Sequence, residues 1–314
     1  MNRPPSSFLD SYVFTISPQE AGQRIDKLLS DRFPDFSRSY FQYLLASNLV
    51  LINGKPAKKR EIPQEADEIE ISFELTPELS LEPQPMDFQV LFEDEYFLAI
   101  NKPPGLVVHP APGHRTGTFV NGLLAHCQHL STCDDPLRPG IVHRLDKETS
   151  GVLLAVKTKE AHMAAADLFA TRQMEKHYLA ICCGRPSNGT IDAPIGRHPV
   201  HRKEMTVKPE GKEASSHIQV VAFNPQISCV LVRPKTGRTH QIRVHLKHVG
   251  HPILGDPVYG NKKMNRDLSP TRLLLHAYRL AFIHPFTKQP LQLSAPIPED
   301  LQYWIKKCAS ADDN

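Results

Sequence analysis

No apolar run in this 314-residue sequence approaches 18 residues, so a membrane-spanning helix is not expected. Its six cysteines form no CxxC pair and its 16 histidines no HEXXH. Those absences remove the plainest redox and zinc-hydrolase patterns. The opening MNRPPSSFLDSYVF lacks the basic-then-apolar form of a secretory signal, so secretion is not expected. Adjacent Cys182 and Cys183 sit in the run YLAICCG, where a strand would turn them to opposite faces, a poor arrangement for joint metal ligation. With Cys127, Cys133, Cys229 and Cys308 they read as reduced thiols of a cytoplasmic protein. What is present is ordinary for a globular chain: 40% hydrophobic and 23% charged residues, with room for two domains. Only proline is high, at 28 residues, near twice the usual ~5%.

A net charge of +3 conceals an uneven distribution. Residues 1–95 carry nine Lys and Arg against 17 Asp and Glu, whereas residues 96–314 carry 28 against 17. Between Glu61 and Glu95 there are twelve acids and no base, and every histidine lies between His109 and His284. A basic, His-rich body fits a polyanionic partner and a mixed solvated surface equally well on charge alone.

Residues 1–17 read as a loose tail. GQRIDKLLSDRFPDF predicts a helix with Ile25, Leu28 and Leu29 on one stripe. Ser37 is placed to cap a second, with Tyr40, Leu44 and Leu45 inward. Asn53-Gly54 after a β-branched run predicts a tight hairpin. DEIEISFEL alternates like an edge strand. These elements make a small α+β module over residues 18–75. TPELSLEPQPMD, residues 76–87, is Pro-rich and acidic and reads as a semi-rigid linker that repels phosphates. From residue 88 onward strand-like runs outnumber helical ones and mostly follow one another directly. That order predicts a mixed, largely antiparallel α+β sheet. GIVHRLDKETSGVLLAVKT reads as strand, loop, strand with Asp146 in the loop. THQIRVHLKHVG reads as a helix capped by Thr239 and stopped by Gly250. Its apolar stripe is Ile242, Leu246 and Val249, which leaves Arg243 facing a groove or solvent.

Two stretches stand out chemically. In residues 143–151 a single carboxylate, Asp146, lies between Arg144 and Lys147, which suits a nucleophile or electrostatic stabiliser and equally a local surface ion pair. Residues 233–245 form a second basic cluster containing Arg238, Thr239, His240 and Arg243. His240, His245 and His248 are five and three apart, unlike the i, i+4 ligand pair of a zinc helix, and no metal site is expected.

Together these segments resemble the RluA-type family of RNA pseudouridine synthases. The family's HRLDxxTSG stands at residues 143–151 and its GRTHQIRxH at 237–245. Asn101 to Pro110, Gly255 to Gly260 and the His276-Ala277 to Arg279-Leu280 element also match. Within the family the likeness is greatest to the bacterial large-subunit ribosomal RNA (RluD) type. One departure is that NKKMNRDLSP, after GDPVYG, is shorter than the insertion expected in some members. The N-terminal module resembles the S4 RNA-binding domain in residues 24–29, Ser37-Arg38 and residues 50–55, although any small α+β module with a charged face gives a similar outline.

The resemblance implies a pseudouridine synthase fold over residues 88–314 and conversion of uridine to pseudouridine in structured RNA, most of all 23S rRNA. Asp146 would be catalytic, attacking the sugar or assisting glycosidic cleavage. Arg243 would pair with it and hold it ionised, and Tyr178 would pack on the target base and move a proton. Arg144 would fill the space vacated by the extruded uridine. His143, Arg238, Thr239 and His240 would face RNA, and Arg38, Lys55, Lys58 and Lys59 of the small module would contact phosphates. An isomerisation implies no cofactor. A cytoplasmic monomer with ribosomal RNA as partner and no membrane association is expected. Another RNA target, a non-catalytic ribosome-assembly factor and a metal-dependent hydrolase are the competing readings.

Overall fold

Tyr12, Phe14 and Ile16 recur at period two, and this short alternation outweighs the Pro- and Ser-rich residues before it. In a computed structural model describing residues 11–34, 36, 38–73, 81–110, 116–127, 130, 139–201 and 204–310, they begin a sheet where a tail was expected. Strand β1 (Ser11–Thr15) pairs with a later strand so that Phe14 faces Ile69, and Phe14 and Ile16 are buried. The remainder of the expected tail up to residue 10, and Ser37, lie outside the described residues.

Helices α1 (Ile25–Arg32) and α2 (Arg38–Ala46) bury the predicted stripes, Ile25, Leu28 and Leu29 with Tyr40, Leu44 and Leu45. Strands β2 (Val50–Ile52) and β3 (Lys55–Pro56) form the hairpin, with Asn53 at φ 51° supplying the left-handed turn. Strand β4 (Glu68–Ser72) is not an edge. The antiparallel order is β1-β4-β2-β3, because β1 covers the side expected to face solvent. Beneath the helices lies Asp26, fully buried. It accepts from Gln42 Nε2 at 2.8 Å, from Arg38 Nε at 2.9 Å and from Arg24 Nη2 at 3.0 Å.

The larger unit starts at Gln84, inside the expected linker. Gln84 donates its N–H to Asn121 and accepts from Gly117 N–H at 2.8 Å, so these residues are tied down. Strands β5 (Val90–Glu93) and β6 (Phe97–Lys102) form a hairpin, then come helix α3 (Phe119–His126), strand β7 (Ser150–Val156), helix α4 (Lys159–Ala170) and strand β8 (Glu175–Cys183). Ile141 makes only an isolated bridge to Ala155, so the first expected strand of the Asp146 loop is reduced to one pair. Strands β9 (Gly189–Asp192), β10 (Ile195–Arg197) and β11 (Met205–Val207) precede the long β12 (Ser215–Phe223) and β13 (Ile227–Pro234). Helices α5 (Gln241–His248) and α6 (Lys262–Leu268), strands β14 (Leu275–Ile283) and β15 (Pro290–Ser294), and helix α7 (Glu299–Ala309) complete the unit.

The main sheet runs β5-β6-β7-β14-β8-β13-β12-β9, with β15 also on β14, while β10 and β11 pair separately. Among the described residues only β7 with β14 is parallel, which matches the predicted mixed, largely antiparallel α+β architecture. The run SGVLLAV of β7 is buried along its whole length because both its faces are covered, Leu154 toward α4 and Leu153 toward α3. On β8, Ala180 and Cys182 pack toward α5 while Leu179 and Cys183 pack toward Trp304 and Leu301 of α7. The two adjacent cysteines therefore do lie on opposite faces. Cys133 lies outside the described residues. At the parallel pairing, Gly151 has φ 111° and its missing Cβ would collide with the Ala277 carbonyl, so only glycine lets β7 approach β14.

Burial pushes the Asp26 carboxyl up, but bonds from Gln42, Arg38 and Arg24 outweigh it and hold the pKa below the ordinary value. The resulting stabilisation is complete above the unfolded value of about 3.9 and is lost as pH falls through the lower folded value. Asp26→Asn should cost about 2 kcal/mol in thermal or urea unfolding of the small unit and shrink this acid-dependent loss. An acid profile unchanged by the substitution would contradict the assignment.

Candidate active site

The Asp146 loop is fixed from beneath by a buried ammonium. Lys102, at the end of β6, is inaccessible to solvent and donates to the carbonyls of Pro103 (2.8 Å), Leu106 (2.9 Å) and Lys147 (2.9 Å). Gly105 N–H also donates to the Lys147 carbonyl, and Thr149 N–H to that of Asp146. Burial lowers the Lys102 pKa to about 7, with Glu148 and Asp146 acting in the other direction. At the start of the loop His143 accepts the Leu154 N–H on Nε2 at 2.9 Å, and its ring lies against Phe169. Burial drives its pKa to about 3, so the ring is a neutral acceptor. His143 lines the cleft, but its Nε2 is spent on the scaffold.

Arg243 does not face solvent. Its side chain is 7% exposed, and it donates from Nε and Nη2 to the two oxygens of Asp256 at 2.7 and 2.9 Å and from Nη1 to Asp146 Oδ2 at 2.9 Å. The helix stripe is narrower than expected: Ile242 and Leu246 are buried but Val249 is exposed, so the buried arc rotates to include Arg243. Burial opposes the charge on Arg243, but the bonds and charges of Asp256 and Asp146 prevail and raise its pKa. Burial likewise opposes ionisation of Asp256. Arg243 and the backbone N–H groups of Tyr259 and Val258 overcome it and lower that pKa. Gly255, at φ 80°, makes the turn that presents Asp256, and a Cβ there would collide with the Arg272 carbonyl.

The N-cap of α5 is His240, not Thr239, and it makes no side-chain capping bond. The Gln241 side chain instead ties the segment before the helix to the sheet. Its Oε1 accepts from Arg238 N–H and the Thr236 hydroxyl, and its Nε2 donates to the Ser215 carbonyl and Ser216 Oγ. Gly250 and His251 end the helix with bonds back to Lys247 and Leu246. His240 itself sits at φ 56°, an uncommon left-handed position for a residue with a Cβ. Its Nδ1 is 2.8 Å from Tyr259 Oη, which already accepts the Met205 N–H at 2.8 Å. The tyrosine proton is thus directed to Nδ1. Burial lowers the His240 pKa, so the ring is neutral and carries its hydrogen on Nε2, 3.9 Å from Asp146 Oδ2.

Asp146, Arg243, His240 and Gln241 line one cleft of about 510 Å³. Of the residues singled out from sequence, Asp146, Tyr178, Arg243, Arg144, His143, Arg238, Thr239 and His240 all border it. Arg144 is exposed, and Arg238 donates from Nε to the Glu213 carbonyl. Burial, then the charge of Asp146, raises the Tyr178 pKa, which keeps its hydroxyl protonated. Arg38, Lys55, Lys58 and Lys59 belong to the small unit. The three lysines are exposed, while Arg38 is committed to Asp26. Sequence reasoning assigned no role to Lys102, Asp256, Tyr259 or Gln241, although the segments NKPPG, GDPVYG and THQIR that contain them were noted. Among the described residues no group of His, Cys, Asp or Glu is arranged to hold a metal ion, and no helix is long and apolar enough to cross a membrane.

The family described as RNA pseudouridylate synthase matches residues 96–248. The chain is 41% identical over 294 residues to an uncharacterized RNA pseudouridine synthase of Bacillus subtilis, covering 93% of this chain and 96% of that one. It is 38% identical over 299 residues to the ribosomal large subunit pseudouridine synthase D of Escherichia coli K12, covering 91% of each. Among solved structures it is similar to human RNA pseudouridylate synthase domain containing 4. There the TM-score is 0.56 and the identity 27%, over 70% of this chain and 92% of that one.

Two outcomes follow from the geometry. Tyr259→Phe removes the hydroxyl that fixes the His240 tautomer, so ring ¹⁵N shifts should change from one tautomer to a mixture. An unaltered spectrum would contradict the assignment. Lys102→Met leaves three carbonyls without their shared donor and should destabilise the larger unit by about 3 kcal/mol. It should also speed amide exchange at Gly105 and Thr149, and unchanged exchange there would sink the tethering role.

Proposed function

This chain belongs to the RNA pseudouridine synthase family, and we propose that it converts uridines of large-subunit ribosomal RNA to pseudouridine through Asp146. The observation that carries the reading is the Asp146 carboxylate, set on a fixed loop at the cleft and held by a buried arginine that a second carboxylate immobilises. Breaking the N1–C1′ bond of uridine and forming C5–C1′ neither oxidises nor hydrolyses anything. It needs a group at C1′, room for the uracil to turn, and a route for the proton that leaves C5 as N1 gains one.

Asp146 supplies the carboxylate at the sugar, by attack on C1′ or by assisting departure of the base. Arg243 orients it through one N–H while Asp256 occupies the others. Tyr178, neutral and half-buried, offers a ring for the base to pack on and a hydroxyl for proton movement. The exposed Arg144, two residues before Asp146, fills the helical space that the extruded nucleotide leaves. Lys176 narrows the cleft from β8, its ammonium 6.0 Å from the Phe169 ring.

The choice of ribosomal RNA rests on relatives named for the large ribosomal subunit that align with nine-tenths of this chain. The small unit is read as an S4-type RNA-binding domain in which exposed Lys55, Lys58 and Lys59 contact phosphates. Arg38 serves there by bracing α2 against Asp26. The protein is read as a monomer acting in the cytoplasm.

Asp146→Asn should bind ribosomal RNA with wild-type affinity and form no pseudouridine in it. Mapping of pseudouridine in large-subunit RNA after incubation with each protein decides the matter. Undiminished conversion by the variant would refute the role of Asp146, and no conversion by the wild type would refute the substrate.

A further inference from the structure

The face of the main sheet that points away from Tyr178 carries a row of basic side chains, two arginines and two histidines, that the catalytic cleft does not use. In β8, His177 alternates with Tyr178 and therefore faces the opposite side. Arg279 of β14 pairs directly with His177. The register of β13 on β8, with Val232 opposite Tyr178, brings Arg233 opposite His177. His217 of β12 pairs with Arg233. Four basic side chains from four adjacent strands thus form one line about 14 Å long, ended by Thr190 on one side and Ser294 on the other. Among the described residues none of the four has a carboxylate in an ion pair with it, and Glu175, two residues along β8, is the nearest acid on that strand. Arg279 Nε and His177 Nδ1 are closed off from solvent and have no hydrogen-bond partner there.

Such an arrangement is unfavourable in isolation. Arg233 and Arg279, on the strands either side of β8, repel one another across His177, whose own pKa is lowered by burial and by these two charges. An anion laid along the row would offset that repulsion. Beside it, and sharing Ser294, lies a groove of about 690 Å³ lined by Tyr278, Ile297, Gln302, Ile305 and Lys306. Tyr278 occupies the β14 bulge next to Arg279, packs in part against the core under α7 and is otherwise open to the groove. A basic track next to an aromatic platform is the combination that holds single-stranded nucleic acid, with phosphates on the cations and a base on the ring. The row holds no large apolar anchor of the kind that seats a protein partner.

We propose that this face is a second RNA-binding surface, on which a single-stranded segment of the substrate lies with its phosphates on His217, Arg233, His177 and Arg279 and a base against Tyr278. The assignment rests on the RNA-modifying function above but concerns a region separate from its chemistry. The surface anchors a part of the RNA remote from the target uridine, and it contributes affinity without taking part in turnover.

The full chain with Arg233→Glu, and separately with Tyr278→Leu, tests this against in vitro transcribed large-subunit ribosomal RNA and an oligouridylate. Arg233→Glu should weaken binding of both RNAs by about tenfold near 0.1 M salt and lower the slope of log affinity against log salt by about one or two. Tyr278→Leu should weaken binding by several-fold with the slope unchanged. Arg233→Lys should restore most of the affinity and the slope. In both weakened variants the rate at saturating ribosomal RNA should stay within about twofold of wild type. Folded variants that bind both RNAs with wild-type affinity and slope would overturn the proposal. A wild-type protein that binds these RNAs through this face but makes no pseudouridine would instead overturn the function proposed above.

Discussion

The site depends on one buried guanidinium. Arg243 has five N–H groups in a rigid fork and almost no access to water, so its charge is tolerable only with carboxylate partners. Asp256 takes Nε and Nη2 together and is itself held by the N–H groups of Val258 and Tyr259. With two of its edges engaged, the fork cannot rotate, and Nη1 is aimed where Asp146 stands. Removing either carboxylate would leave a buried charge partly unpaired. The pairing therefore commits α5, the turn after it and the Asp146 loop to one geometry.

The rest of the larger unit supplies that geometry from three directions. Ile242 and Leu246 seat α5 on β8 and β13. Gln241 ties the start of the same helix to β12 through Ser215 and Ser216. Lys102 draws the carbonyl of Lys147 toward those of Pro103 and Leu106, so the loop bearing Asp146 is held by charge-assisted bonds as well as by its flanking strand. The left-handed His240 is the strained point in this frame, and the Tyr259 hydroxyl that orients its ring also fastens β11 through Met205. A residue in that conformation persists where its surroundings over-determine it, which is common at functional sites.

Long apolar stripes and runs were readable from sequence because their burial follows directly from periodicity. The stripes of α1 and α2, the wholly buried β7 and the split of Cys182 from Cys183 are of this kind. Short elements were less legible. Five residues of β1 carry too little pattern to outweigh their Pro- and Ser-rich surroundings, and missing that strand made the central β4 look like an edge. Thr239 beside a helix start satisfies the local capping rule, but the N-cap falls on the left-handed His240, and Gln241 ties the helix start to residues brought near by the sheet. Asp146 and Arg243 could be singled out from their motifs. The burial of Arg243 could not, because it depends on Asp256, 13 residues away, and on a turn that only Gly255 permits.

Lys102 reaches Lys147 and Arg243 reaches Asp146 and Asp256, all distant in sequence, and those contacts hold the Asp146 loop where the cleft needs it. The most direct test of that account leaves Asp146 and Arg243 in place and removes the charge behind them. The single-turnover rate of pseudouridine formation by a folded Asp256→Asn protein should fall by about 100-fold with RNA affinity unchanged, because Arg243 loses the anchor that aims it. A rate near that of the wild type would contradict the claim that the buried guanidinium organises the site.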